Sequence, residues 1–395
     1  MKEIRIPASK SISNRLLILQ YLFPAIKLSN LSTAKDTKVL QHALKQIRQE
    51  KESPVHINIG HAGTAMRFLT ALLASIEGKE FVLDGSERMR NRPIKILVDA
   101  LKSLGADIHY LEKEGYPPLF IKGSKLPQNT VRLQGSVSSQ YITALLLIAP
   151  VLPKGLNLIL EGEIVSRPYI HMTLELLKQL GVEFSFEGNN ISIKKLIVPE
   201  QTDFVVEGDW SSASYFYGKT AVTQSPVRLR PFQQNSIQGD QKIAEYFTKL
   251  GVETIHLDNH SIYLKPLENF VKPSYLSFDL IDTPDLAQTL AVTCAAMNIK
   301  CKLTGLQTLK IKETDRLEAL KTELEKLGFE VKITGHSFEL KAFEASSGES
   351  ISIATYEDHR MAMAFAILQD LYHFEIENPQ VVVKSFPGFW EKFTF

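Results

Sequence analysis

The chain has 395 residues, of which 44% are hydrophobic and 23% charged, and a formal net charge of +1. This is enough apolar material for two ordinary cores, and without any block of five like charges it excludes an extended basic face for nucleic acid. No apolar run approaches the ~20 residues of a membrane span, and Met1-Lys2-Glu3-Ile4-Arg5-Ile6-Pro7 lacks the apolar centre of a signal peptide, so a cytoplasmic protein is expected.

In chain order, the first helix is expected to begin in Ser9-Lys10-Ser11-Ile12-Ser13-Asn14-Arg15 and the second to run from Asp36 to Arg48. A regular pattern then sets in. His61-Ala62-Gly63-Thr64-Ala65-Met66-Arg67, Ser136-Val137-Ser138-Ser139-Gln140, Asp209-Trp210-Ser211-Ser212, Asp282-Thr283-Pro284-Asp285 and Glu357-Asp358-His359-Arg360 each open an apolar helical run. Gly63, Ser138, Ser211, Pro284 and His359 stand 75, 73, 73 and 75 residues apart, which marks one repeated unit. With a shortened first unit around Ser11, six units divide into two groups of three.

Each interval has internal punctuation. Leu101-Lys102-Ser103-Leu104-Gly105, Leu177-Lys178-Gln179-Leu180-Gly181, Phe247-Thr248-Lys249-Leu250-Gly251 and Leu324-Glu325-Lys326-Leu327-Gly328 read as helix ends with glycine in the left-handed cap, where a Cβ would clash. The alternating segments that follow, among them Ala106–Tyr110, Val182–Phe186 and Phe329–Ile333, read as strands. The unit is therefore strand, helix, strand, helix, strand. The boundary between the two groups is placed near Val206-Glu207-Gly208.

Arg15, Arg67, Arg316 and Arg360 fall at or near helix starts, where a cation is disfavoured by a few tenths to ~1 kcal/mol. Four such residues point to an anionic ligand shared by several helix ends. Hydroxyls at helix starts also cap N–H groups, and that duty is the reading for Ser136, Ser211 and Ser212, with Asp209 as a further cap. Cys294 and Cys301 have no metal-ligand or redox spacing and read as core thiols. Gly218-Lys219-Thr220 lacks the earlier glycine of a phosphate-binding loop and lies late in a helix.

The ordered set Ser9–Arg15, Gly63–Arg67, Arg88-Met89-Arg90-Asn91-Arg92-Pro93, Gly135–Gln140, Ser166-Arg167-Pro168-Tyr169, Gly208–Ser214, Pro284-Asp285, Lys312-Glu313-Thr314-Asp315-Arg316, Asp358–Met363 and Lys384-Ser385-Phe386-Pro387 resembles the enolpyruvyl transferases nearly end to end, and among them the EPSP synthases. The resemblance implies a two-domain inside-out α/β barrel of six repeats, three per domain, with helices inside, sheets outside and the active site in the interdomain cleft. The implied domains are 8–207, and 1–7 with 208–395. The implied reaction is transfer of the enolpyruvyl group of phosphoenolpyruvate to the 5-hydroxyl of shikimate 3-phosphate, by addition and elimination, with release of phosphate. No step calls for a metal, nucleotide or organic cofactor, and nothing demands more than a monomer.

By the same resemblance, Lys10, Gly63, Arg88, Gln140, Arg316, Arg360 and Lys384 bind phosphoenolpyruvate. Lys10, Ser11, Arg15, Ser138, Ser139, Gln140, Ser166, Tyr169, Asp285 and Lys312 bind shikimate 3-phosphate. Asp285 takes the hydroxyl proton, and Glu313 or Lys10 handles the carbon-bound proton, while Thr64, Arg67 and His359 support the site. His61, Phe68 and Thr308 stand where the commonest family pattern has Asn, Pro and Asn, the first two beside the phosphoenolpyruvate end. A UDP-N-acetylglucosamine enolpyruvyl transferase would usually carry a Cys in the loop that here spans 84–93, which has none. A non-catalytic anion-binding paralogue would be expected to lose Lys10, Asp285, Glu313 or Lys384, and all four are present.

Overall fold

The structure is a computed structural model that describes residues 2–394 except 137, 201, 259 and 344–350. Its organising unit is visible between Val55 and Lys122. Strand Val55–Asn58, helix Gly63–Ala74 and strand Glu80–Asp84 form a parallel crossover. Helix Lys95–Ser103 then leads to strands Asp107–Tyr110 and Leu119–Lys122, which pair antiparallel, and the second of them returns to lie beside Glu80–Asp84. The expected order thus gains a sixth element, a hairpin strand that inserts between the second and third strands of the unit.

The same four-strand order holds for Thr130–Gln134, Leu156–Glu161, Asn190–Ile193 and Phe184–Glu187, and for Tyr275–Asp279, Lys300–Thr304, Phe338–Phe343 and Phe329–Ile333. A fourth copy takes its first strand from the chain start: Lys2–Arg5 pairs in parallel with Val227–Arg230, followed by Ser261–Pro266 and Val252–Asp258. Two shortened sheets are parallel pairs, Lys27–Ser29 with Asp203–Val205 and Ile351–Ile353 with Phe374–Ile376. In each full sheet alternate residues are buried, such as Val55 and Ile57 against exposed His56 and Asn58, so one face packs and the other meets water.

The helices that open the repeats behave differently from the sheets. Gly63–Ala74, Ser139–Ile148, Trp210–Thr223, Ala287–Ala296 and His359–Phe365 are buried on nearly every side. Their sequences, such as Ser139-Gln140-Tyr141-Ile142-Thr143-Ala144-Leu145-Leu146-Leu147-Ile148, are apolar all round and can lie only in an interior. The second helices, such as Lys35–Gln49 and Lys95–Ser103, keep a polar face outward. Between second helix and hairpin stand Gly105, Gly181, Gly251 and Gly328 at φ +103, +87, +83 and +90, in the left-handed cap.

The chain divides into two compact units, Lys10–Val206 and Met1–Ser9 with Glu207–Phe395. In the first, helices Lys10–Leu22, Gly63–Ala74 and Ser139–Ile148 pack on one another. In the second, Ala287–Ala296 packs on both Trp210–Thr223 and His359–Phe365. The C-terminal helix Phe389–Phe393 closes that core, with Phe389 and Phe393 against Phe216 at ring distances of 6.5 and 5.5 Å. The two chain segments that leave this unit lie side by side, since the Ser9 amide donates to the Glu207 carbonyl at 2.8 Å and Ala8 bridges to Gly208.

Because the second unit borrows its edge strand from the chain start, Ile4 belongs to its core, opposite Leu229 and buried. Ile4→Ala is expected to cost about 2–5 kcal/mol, read by urea unfolding of the full chain. An unchanged midpoint would show that the N-terminal strand adds nothing to the unit.

Candidate active site

The unit containing Glu207–Phe395 holds a cluster of ionised groups built around Arg316, the first residue of helix Arg316–Lys326. Asp315 caps this helix by accepting from the amides of Leu317 and Glu318, which leaves Arg316 pointing inward, 2% exposed. Its Nε donates to Asp358 Oδ2 at 2.6 Å, its Nη1 to Asp285 Oδ1 at 2.9 Å and its Nη2 to Glu313 Oε2 at 2.8 Å. Burial alone would lower its pKa, but the three carboxylates raise it further above an ordinary guanidinium.

Arg360 follows Asp358 into the next helix start. Asp358, fully buried, caps that start by accepting from the Arg360 amide at 2.9 Å. The Arg360 guanidinium then reaches across to the start of another repeat, donating to Asp285 Oδ2 at 3.0 Å and to the Asp285 carbonyl at 3.2 Å. Lys312 Nζ stands 3.5 Å from Asp285 Oδ1, and Lys384 Nζ donates to Glu313 Oε1 at 3.0 Å. Desolvation pushes the Asp285 carboxyl up, but Arg360, Lys312 and Arg316 together hold it well below the usual carboxylate range. His359 is buried with Nδ1 3.7 Å from Asp358 Oδ1.

Ser211 does not cap its helix as expected. Asp209 performs that duty, accepting from the Ser212 amide at 2.8 Å, while Ser211 Oγ donates to the buried carboxylate of Asp240 and takes a 3.4 Å contact from Arg360. Ser136 is no cap either, because Ser138 fills the position, accepting from the Gln140 amide at 3.4 Å. Val137 lies outside the described residues.

The Lys10–Val206 unit carries the other expected residues. Arg15 and Arg67 sit in the second turn of their helices and reach back to the first, donating to the carbonyls of Ser11 and Gly63 at 2.9 and 3.1 Å. Arg15 also donates to Thr173 Oγ1, Thr143 Oγ1 and the Tyr169 carbonyl at 2.9, 3.3 and 3.1 Å, so four of its five N–H groups are engaged, all by neutral acceptors. Burial lowers its pKa to about 10. Phe68 packs under Arg15, its ring centre 5.8 Å from the guanidinium carbon.

Gln140 Nε2 donates to Thr64 Oγ1 at 3.3 Å, joining two helix starts. The arginine-rich turn is fixed by Arg90, which binds Asp84 and Glu112, and by Ser86, which caps Met89 and pairs with His61 Nδ1 at 2.8 Å. Tyr141 Oη and Arg67 Nη2 both donate to the Pro93 carbonyl, at 2.6 and 3.4 Å. Arg88 sits on this turn, within Glu87–Arg90. Arg92, not singled out from the sequence, lies over Gly63: a Cβ there would come within 2.5 Å of Arg92 Nη1 and 3.2 Å of Arg67 Nη1. Lys10 Nζ is 3.5 Å from Asp36 Oδ2. Ser166 is buried at φ +55 immediately before helix Arg167–Gln179, Ser139 opens its own helix, and Thr308 is buried in Gln307–Ile311.

The model of the EPSP synthase family (3-phosphoshikimate 1-carboxyvinyltransferase) matches residues 1–393. The chain belongs to the EPSP synthase family. Among relatives of that family, the 3-phosphoshikimate 1-carboxyvinyltransferase of Bacteroides fragilis (strain YCH46) is 48% identical over 397 residues, covering 98% of this chain and 93% of that protein. The enzyme of the same name from Colwellia psychrerythraea is 37% identical over 421 residues, covering 99% and 95%. A solved structure of EPSP synthase from Acinetobacter baumannii shares the fold, with a TM-score of 0.74 at 20% identity and coverage of 98% and 94%.

The lowered pKa of Asp285 makes the stability of this EPSP synthase family member depend on pH. Its folded pKa lies below the unfolded value of ~3.9, so its stabilising contribution is complete above that value and is lost as pH falls through the folded one. Asp285→Asn is therefore expected to melt below the parent at pH 7, with the gap closing only in strong acid. Melting curves from neutral to acid pH that run parallel would refute the assignment.

Proposed function

We propose that this chain is a cytoplasmic, monomeric 3-phosphoshikimate 1-carboxyvinyltransferase, acting on phosphoenolpyruvate and shikimate 3-phosphate in the biosynthesis of aromatic amino acids. The observation that carries the reading is the meeting of two carboxylates, Asp285 and Glu313, with four cations, Lys312, Arg316, Arg360 and Lys384, in a chain that matches the family along its length. Two phosphates and two carboxylates enter with the substrates, and planar guanidinium forks suit both groups. Arg316, Arg360, Lys384, Arg88, Lys10, Gly63 and Gln140 bind phosphoenolpyruvate. Lys10, Ser11, Arg15, Ser138, Ser139, Gln140, Ser166, Tyr169, Asp285 and Lys312 bind shikimate 3-phosphate. Among the described residues, four of the five Arg15 N–H groups are engaged, which leaves one for this purpose.

In the addition step the methylene carbon of phosphoenolpyruvate gains a proton, the 5-hydroxyl loses one, and its oxygen bonds to the adjacent carbon. In the elimination step phosphate departs and the new methyl group loses a proton, which leaves the enol ether. Asp285 accepts the hydroxyl proton, and Glu313 or Lys10 exchanges the proton at carbon. In the cluster the neighbouring cations hold Asp285 below the usual carboxylate range, which makes it a weaker base than a free carboxylate. Arg316, Arg360 and Lys312, which hold it so, are also proposed substrate ligands. Anions that draw these cations away release Asp285 toward a pKa at which it accepts a proton.

Mixing the purified chain with both substrates should release phosphate. Calorimetric binding of both without release would leave an anion-binding protein instead. Asp285→Ala is expected to lower kcat by about 10²–10⁴ with modest change in KM, as for a lost general base. Arg88→Ala is expected mainly to raise the KM for phosphoenolpyruvate, by about tenfold or more for a lost charged hydrogen bond. Parent-like kinetics in either variant would remove that residue from its role.

A further inference from the structure

Glu323 is a fully buried carboxylate near the end of helix Arg316–Lys326 that none of the roles above uses. Its Oε1 accepts from Tyr356 Oη at 2.6 Å, and its Oε2 accepts from the Ala354 amide at 3.0 Å and from Lys326 Nζ at 2.6 Å. Two of these donors lie on the segment that leads into Asp358, His359 and Arg360. In that segment Tyr356 and Glu357 stand at φ +52 and +53, consecutive residues with side chains in the left-handed region that such residues seldom adopt. Seven residues earlier on the same helix, Arg316 grips the far side of the bend through Asp358. One helix thus holds the bend at two points, one at each of its ends.

A buried charge of this kind is a poor choice for stability alone, because an apolar residue of similar volume often serves as well or better. Strained backbone likewise persists where the surroundings enforce it, and it clusters at functional sites. We propose that Glu323 and Tyr356 are positioning residues of the enolpyruvyl transfer site. The buried carboxylate fixes the bend at Tyr356 and Glu357 and through it sets the direction in which Arg360 meets the anionic end of phosphoenolpyruvate. This inference rests on the assignment of Arg360 to that substrate.

The test is steady-state kinetics with each substrate varied, on the parent, Tyr356→Phe and Glu323→Gln, together with calorimetric titration of phosphoenolpyruvate in the presence of shikimate 3-phosphate. Tyr356→Phe is expected to raise the KM and the dissociation constant for phosphoenolpyruvate by about tenfold, the effect of one charge-assisted hydrogen bond, and to leave the KM for shikimate 3-phosphate within about twofold. Glu323→Gln keeps one acceptor oxygen and should fall between parent and Tyr356→Phe. If Tyr356→Phe does not fold, the split in Glu323→Gln decides. Variants that melt lower but keep the parental KM for both substrates would overturn the inference, as would a loss of activity proportional to the unfolded fraction. A parent that releases no phosphate speaks against the function instead, and the titrations still report whether the bend governs phosphoenolpyruvate binding.

Discussion

Arg316 makes four hydrogen bonds to three carboxylates from three separate stretches of chain, and the second unit is arranged around that fact. Bringing an unpaired guanidinium to 2% exposure would cost several kcal/mol, and so would burying Asp358 alone. Each charge is tolerable only because the others are present. The cluster therefore ties the turn at Asp285, the loop at Glu313 and the bend at Asp358 into one geometry. Removing any member would leave a buried charge without compensation, a larger penalty than the lost bond itself.

The two units use the same repeat to opposite electrostatic ends. Around Arg360 and Arg316, carboxylates neutralise the cations at the helix starts. Around Arg15 the acceptors are hydroxyls and carbonyls, which satisfy hydrogen bonds but leave the charge uncancelled. A buried cation with neutral partners gains more from an arriving anion than one already paired, because no internal carboxylate has to be displaced. Where Arg316 and Arg360 are concerned, an incoming anion would have to exchange with Asp285 and Glu313, which already hold them.

The repeat was legible in the sequence because its signals are local. Gly105, Gly181, Gly251 and Gly328 announce left-handed caps within a few residues, and apolar helices such as Ser139–Ile148 announce their burial. The hairpin strand of each four-stranded unit is not legible in the sequence because Leu119–Lys122 and its counterparts are short and their partners are fixed by tertiary pairing. The roles of Arg88, Arg90 and Arg92 illustrate the same limit. Three arginines spaced two apart look alike in sequence, yet Arg90 is bound to Asp84 and Glu112 while Arg92 lies over Gly63. Ser211 was read as a cap because helix-start hydroxyls usually are, and its true partner, Asp240, is 29 residues away. Glu323 gave no signal, since a Glu on an amphipathic helix ordinarily faces water.

A site that stores its own carboxylates among its cations is also protected against premature chemistry. With Asp285 held by three cations, its carboxylate has less affinity for a proton than a free carboxylate. Under the proposed function, the anions that take up these cations and restore its basicity are the substrates. In that proposal the lowered pKa of Asp285 is the ground state of a base whose strength depends on occupancy. Glu313 is shared between two cations in the same way, Arg316 and Lys384. Under the proposed function, the interactions that stabilise the cluster couple proton transfer to the presence of both reactants.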